Sequence, residues 1–170
     1  KQMYSNMSKQ VEVIASYLPQ FFPITENNKW HSEGFTEWTN VAKAKRYFPS
    51  HYQPKIPGKL SFYDLRLPET RVEQAKMAKE YGITSFCYWH YWFGNGRRIL
   101  ERQFNEVLES GTPDFPFCLG WANESWYGID HGVKNRLLIE QTYPSIEDSI
   151  EHFHLCIRAF KDKRYTKIDG

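Results

Sequence analysis

Three aromatic strings hold the polar groups of most chemical interest: GFTEW at 34–38, YWHYW at 88–92 and WANESW at 121–126. Each sets a carboxylate, an imidazole or an amide among indole and phenol rings. That mixture suits a sugar, whose C–H face stacks on Trp or Tyr while its hydroxyl rim needs directional donors and acceptors. Chemistry at a glycosidic bond commonly adds carboxyl groups flanking that bond. Glu124, between Trp121 and Trp126, is the first candidate for a general acid/base. Crowding by indoles would desolvate its carboxyl and raise its pKa. The plainer reading is a loop carboxylate that caps a backbone amide or pairs with an arginine. Asn123 is its natural companion for a sugar hydroxyl. Glu37 and Asp64, each between aromatics, are the next carboxylates. Asp64 fits equally well an ion pair with Arg66 or Arg71, or a cap on the helix that Pro68 opens.

His90 offers a proton carrier or a hydroxyl partner, and otherwise a packing histidine; His31 and His51 are weaker candidates of the same kind. Tyr17, Trp121 and Trp126 stand at strand ends as sugar contacts. Trp30, Trp38 and Trp92 serve either as stacking platforms or as ties that hold a long loop down. His152 and His154 are two apart on a helix and point different ways, so they make no metal pair. No HExxH, EF-hand, GxGxxG or P-loop string is present. The expectation is no required metal and no cofactor. Lys43, Lys45, Arg46, Lys55 and Lys59 form a basic cluster that reads as a solvated surface or as a contact for phosphate or an acidic sugar.

These groups need a frame to position them. The chain has 170 residues, 41% hydrophobic and 17% aromatic, enough for a core and against wholesale disorder. Twenty-two basic against 20 acidic residues is too even for nucleic-acid binding by bulk charge. No apolar run approaches a membrane span and no signal peptide is visible, so the expected setting is cytoplasmic. The odd set Cys87, Cys118 and Cys156, without CxxC spacing, reads as reduced thiols there.

Residues 1–10 are polar and patternless, a flexible lead-in. Residues 11–17 alternate as a strand, and Pro19 to Leu67 form a long, aromatic-rich, ordered excursion. A helix follows from Pro68, with Val72, Ala75, Ala78 and Lys79 on one face and Gly82 as its stop. Ile83–Trp89 reads as a strand covered on both faces. Ile99 to Gly111 is a helix, Phe115–Trp121 a third strand and Leu137–Ile139 a small extra one. Ser145 to Asp148 has capping-box form and opens a helix with an apolar stripe of Ile146, Ile150, Phe153, Ile157 and Phe160. Strands alternating with helices imply an α/β fold with a parallel sheet. Two architectures fit: a small three-layer domain, or the first part of a larger barrel. In both, ligands bind at the carboxyl ends of the strands. Glu124, Trp92 and Trp38 are therefore expected around one hollow. An open sheet edge would allow a homo-oligomer.

The strings YLPQF (17–21), GFTEWTNVAKAK (34–45), HYQPKIP (51–57), FYDLRLPE (62–69), EYGITSFCYWHYWF (80–93) and DFPFCLGWANESW (114–126) resemble the WbsX-type family. That family is described as glycosyltransferases of lipopolysaccharide or O-antigen synthesis and is similar to glycoside hydrolase family 99-like domains. The resemblance spans roughly residues 11–170. It implies a (β/α)8 TIM-type barrel, with the first three βα units present here and a long ordered loop after the first strand. It also implies carbohydrate as the partner, as oligo- or polysaccharide or sugar donor, in bacterial surface polysaccharide synthesis or processing. The family strings map onto Glu37, Asp64, His90, Trp92, Asn123 and Glu124. In the related hydrolases two glutamates three residues apart act at this strand end. Glu124 matches their acid/base, whereas Trp121 stands in the other position, so their hydrolytic mechanism does not carry over directly. At Ser61 the family more often has Gly. The alternative is a non-catalytic glycan-binding or scaffold fragment.

Overall fold

The computed structural model describes residues 11–128 and 136–168. The expected lead-in, and residues 129–135 between the expected third strand and Leu137, lie outside the described residues. Three strands, β1 (Ile14–Tyr17), β2 (Ser85–His90) and β3 (Phe117–Trp121), pair in parallel in chain order, with β2 central. Ala15 pairs with Phe86, and Phe86 with Phe117, so side chains of one parity share a face across the sheet. That face carries Tyr17, Phe86, Tyr88 and Phe117, all buried. Their rings meet at centroid separations of 4.7 Å (Tyr17–Tyr88) and 5.9 Å (Tyr88–Phe117), with Phe104 closing on Tyr88 at 5.3 Å. Tilted and edge-on contacts of this kind add to the area they bury.

β1 is shorter than the expected strand, because its ladder with β2 begins only at Ile14. The opposite face of β2 is covered only in part, with Ser85 buried, Cys87 half-buried and Trp89 exposed, so the expected two-sided burial fades toward the carboxyl end of the strand.

The excursion after β1 is ordered, as expected, and it contains two short helices the sequence did not signal: α1 (Thr25–Trp30) and α2 (Glu37–Lys43). Thr36 caps α2. Its hydroxyl accepts from the Trp38 amide at 3.2 Å while its own amide donates to the Thr39 hydroxyl at 3.2 Å. Trp38 ties the segment down. Its ring packs on Phe21 at 4.7 Å and its indole N–H donates to the Tyr63 carbonyl at 2.7 Å. Ser61 in the same segment holds φ at +55°, the left-handed region that favours glycine.

α3 (Pro68–Glu80) begins at its proline and stops before Gly82, as expected. Its buried face is Arg71, Ala75 and Ala78, with Val72 39% exposed rather than inside. Arg71 is tolerated there because its guanidinium donates to the Leu65 carbonyl at 2.7 Å and to the Glu106 carboxylate at 2.9 Å. It thereby clamps the end of the excursion to α4 (Glu101–Ser110).

Beyond β3, the short strands β4 (Trp126–Tyr127) and β5 (Leu137–Ile139) pair antiparallel. α5 (Ile146–Phe160) starts where Ser145 accepts from the Asp148 amide at 3.2 Å. Its apolar stripe faces outward: Ile146 is 76% exposed, and Ile150, Phe153 and Phe160 are exposed as well. The inward face is polar instead, carrying Asp148, His152 and Cys156 with Leu155 and Ala159. After α5 the chain returns beside β3, where Tyr165 makes a parallel bridge to Phe117. Arg164 anchors that return, paired with Asp162 at 2.6 Å and donating to the Pro113 and Val107 carbonyls.

Replacing Arg71 with Ala strands the Leu65 carbonyl and half of the Glu106 pair. The expected loss is about 2 kcal/mol by urea denaturation, with faster proteolysis in the 19–67 excursion. Ser61→Gly is expected to raise stability by about 0.5–1 kcal/mol, read from the same unfolding curves, because the left-handed backbone is relieved of its Cβ.

Candidate functional site

The in-register strands bring their carboxyl ends to one edge, and two adjoining hollows open there. One, of about 500 Å³, is lined by Leu18 and Gln20 after β1, Trp89 and Tyr91 from β2 onward, and Trp121, Asn123, Glu124 and Trp126 after β3. The other, of about 530 Å³, adds Glu37, Asn27, His31 and Phe35 from the excursion. Gln20, Glu124 and Trp126 border both. Glu124 and Glu37 therefore line a common cleft with Trp121, Trp126 and Asn123 along it.

Local bonds explain this convergence. The Ala122 amide donates to the His90 carbonyl at 3.0 Å, carrying the β2–β3 pairing into the Asn123–Glu124 turn. The Glu37 amide donates to the Gln20 carbonyl at 3.0 Å, setting the start of α2 against the end of β1. Asn123 is held by its carbonyl, which accepts from the Tyr143 hydroxyl at 3.0 Å. Trp126 is half-buried, edge-on to Tyr91 at 5.1 Å. Trp121 is 38% exposed, and its indole N–H donates to the Trp92 carbonyl at 3.2 Å.

Glu124 is exposed rather than crowded by its flanking indoles, because the turn projects it from the strand end toward solvent. Glu37 is half-buried. Burial, and secondarily the Glu37 carboxylate nearby, push the Tyr91 phenol well above its ordinary pKa. Tyr91 thus stays a neutral O–H at the cleft.

The other sequence candidates lie elsewhere. Trp38 is engaged with Phe21, Phe62 and Tyr63 and lines neither hollow. Trp92 is buried, donates to Asp148 at 3.0 Å and stacks on His152 at 5.0 Å, so it supports Trp121 from behind. The expected ring of Glu124, Trp92 and Trp38 around one hollow does not form; Trp121 and Trp126 take those places. Tyr17 sits in the core with its hydroxyl bonded to Gln74. Asp64 pairs with Arg66 at 2.6 Å, the plainer of its two readings. The basic cluster lines neither hollow, and its members are exposed.

His90 is buried among the helices. Its Nε2 lies 2.8 Å from Nε2 of His152. Burial first, then the neighbouring His152 and the Arg98 guanidinium, depress its pKa to about 3.

Asn27 is a residue the sequence did not flag. It is 1% exposed and lines the larger hollow, and its amide nitrogen has no hydrogen-bond partner among the described residues. It comes from α1, a single-turn helix without apolar period, so periodicity gave no signal.

Comparison with known sequences fits this arrangement of a parallel βα frame and an aromatic, carboxylate-bearing cleft. The family described as Glycosyltransferase WbsX matches residues 13–170, and the chain belongs to that family. Two curated relatives from Xanthomonas campestris pv. campestris, strains B100 and ATCC 33913, are both described as uncharacterized protein WxcX. Each is 40% identical over 156 residues, covering 92% of this chain. The chain spans 22% of the length of these relatives. No solved structure matches it.

The depressed His90 sets a pH dependence. The unfolded chain binds a proton near pH 6.5 while the folded one resists it down to about 3. This contribution to stability is complete above about pH 6.5 and is lost progressively as pH falls toward 3. His90→Gln is expected to flatten the upper part of that slope, above the carboxylate range, in urea midpoints measured between about pH 7 and 5.

Proposed function

We propose that the cleft holds a saccharide of a bacterial surface polysaccharide and that the intact protein transfers or cleaves a glycosyl group there. Glu124 acts as general acid/base and Glu37 is the second carboxylate. The observation that supports this best is that Glu37 and Glu124, far apart in sequence, line one hollow with Trp126 at the carboxyl edge of parallel strands. Trp121 and Trp126 offer rings to the C–H face of a sugar, and Asn123, Gln20 and Tyr91 offer donors and acceptors to its hydroxyls. A saccharide laid over Glu124 would exclude water from a carboxyl that otherwise faces solvent, supplying the desolvation a general acid needs. The parallel order of β1–β2–β3, with Tyr165 bridging onto β3, supports placing these units at the start of a (β/α)8 barrel.

The exposure of Glu124 also favours a second reading, a glycan-binding surface without chemistry. One experiment separates them. In the intact protein, Glu124→Gln is expected to lower turnover of a polysaccharide repeat unit or its sugar donor by about 10²–10⁴-fold while leaving saccharide binding, read by calorimetry, within a few fold. Unchanged turnover removes Glu124 from the chemistry. Saccharide binding with no turnover in the wild-type protein supports the binding surface.

A further inference from the structure

Behind Trp121, β2 and α5 bring together three groups, two of them a helical turn apart and the third distant in sequence. His90 ends β2, while His152 and Cys156 lie one turn apart on the inward face of α5. Their ligand atoms all lie within 4.8 Å of one another. We propose that His90, His152 and Cys156 form a binding site for a soft divalent transition metal of the Zn²⁺ type, independent of the saccharide reading.

Coordination chemistry supports the assignment. Two imidazoles and one thiolate are a donor set that Zn²⁺ accepts readily. A tetrahedral ion with Zn–N near 2.0 Å and Zn–S near 2.3 Å places its ligand atoms roughly 3.3–3.6 Å apart. The cluster brackets that range, from 2.8 Å between the two imidazole nitrogens to the 4.8 Å limit. Ion geometry requires the nitrogen pair to open by about 0.5 Å and the sulfur to be drawn inward from the 4.8 Å limit. Beside the cluster lies a cavity of about 20 Å³ bordered by His90 and Cys156 but not by His152, with Arg98 and Arg158 also on its wall, and it has room for one water. With three protein donors, the fourth position falls to water, as in open zinc sites.

The surroundings cut both ways. Arg98 lies close enough to act on His90, His152 and Cys156 electrostatically, and its charge opposes an incoming cation. Burial holds the Cys156 thiol above its ordinary pKa and the Arg98 charge offsets that only in part, so the incoming ion itself must displace the thiol proton. Asp148, one turn before His152, offsets Arg98. One of its oxygens accepts from Trp92 and the other is buried without a hydrogen-bond partner among the described residues. Carboxylates beside metal-bound histidines commonly orient them. On binding, Cys156 loses its proton to solvent. The hydrogen now shared between the two Nε2 atoms moves to the other nitrogen of its ring. Each ligand then donates one lone pair, and one proton is released per ion bound.

The expectation of no metal rested on the spacing of His152 and His154 and on the absence of metal-binding strings such as HExxH. His154 is indeed exposed and away from this cluster, and the partners of His152 come from the next turn and from a strand sixty-two residues away.

The test uses the reduced chain, stripped with chelator, desalted and titrated with Co²⁺ as an optical surrogate for Zn²⁺. A single equivalent is expected to saturate strong visible d–d bands together with a near-ultraviolet sulfur-to-cobalt charge-transfer band. Cys156→Ser should abolish the charge-transfer band and weaken Zn²⁺, measured by chelator competition, at least about tenfold. His154→Ala and the double variant Cys87→Ser/Cys118→Ser should keep the band. No charge-transfer band at excess Co²⁺ overturns the site, as does a band that survives Cys156→Ser or disappears with Cys87 and Cys118. Because the double variant leaves the cluster intact, a Cys156→Ser protein that fails to fold does not prevent a decision.

Discussion

Parallel, in-register pairing of β1, β2 and β3 is the constraint on which the molecule depends. A parallel ladder fixes not only which residues are neighbours but which ends of the strands coincide. Tyr17 against Tyr88, and His90 against Trp121, put the three exits side by side. A shift of one residue in β2 would exchange Tyr88 and His90 with Trp89, moving the core rings to the open face. The register is held against that by the buried rings of Phe86, Tyr88 and Phe117 on one side of the sheet. The cleft then follows from chain direction. Tyr91 lies directly after its strand and Gln20 and Glu124 three residues after theirs, where the backbone leaves the ladder and side chains converge.

α5 is the second determinant, and it works through its polar face. Asp148 accepts from Trp92, whose carbonyl accepts from Trp121, and His152 packs between the two indoles and His90. The wall of the cleft is therefore supported by a column of hydrogen-bonded and stacked rings that ends on a helix. Burying His90 and His152 together is costly unless both stay largely uncharged, since a proton on either faces the other ring and Arg98.

Much of this was legible in the sequence. Pro68 and Gly82 marked a helix, the ITSFCYW run a buried strand, and Ser145 the start of α5. The strand-end rule brought Glu124, Asn123, Trp121 and Trp126 to one edge, and the aromatic content of 19–67 indicated order. What escaped was orientation. The apolar stripe of α5 was the most regular pattern in the chain, yet it faces out, because hydrophobic period identifies a face without identifying its partner. Arg71 displaced Val72 from the inner face of α3 because a long-range carboxylate, Glu106, was available to pair with it. Of the two roles open to Trp38 and Trp92, platform or tie, Trp38 takes the tie within the excursion and Trp92 braces α5, since an indole in a motif carries no mark of which surface it meets. α1 and α2 are too short for a periodic signal, and α2 is set by a Thr36–Thr39 cap.

The arrangement of indoles at the cleft makes the molecule its own optical gauge. Of the six tryptophans, Trp89 and Trp121 reach solvent at the cleft and Trp126 reaches it in part, while Trp92 is sealed behind them. Emission from the outer three will shift to shorter wavelength when a ring-shaped guest displaces water from them, against a baseline from Trp92 and from Trp30 and Trp38, which line neither hollow. Occupancy of the hollow can therefore be followed in the unlabelled chain, without attaching any dye to the surface being probed.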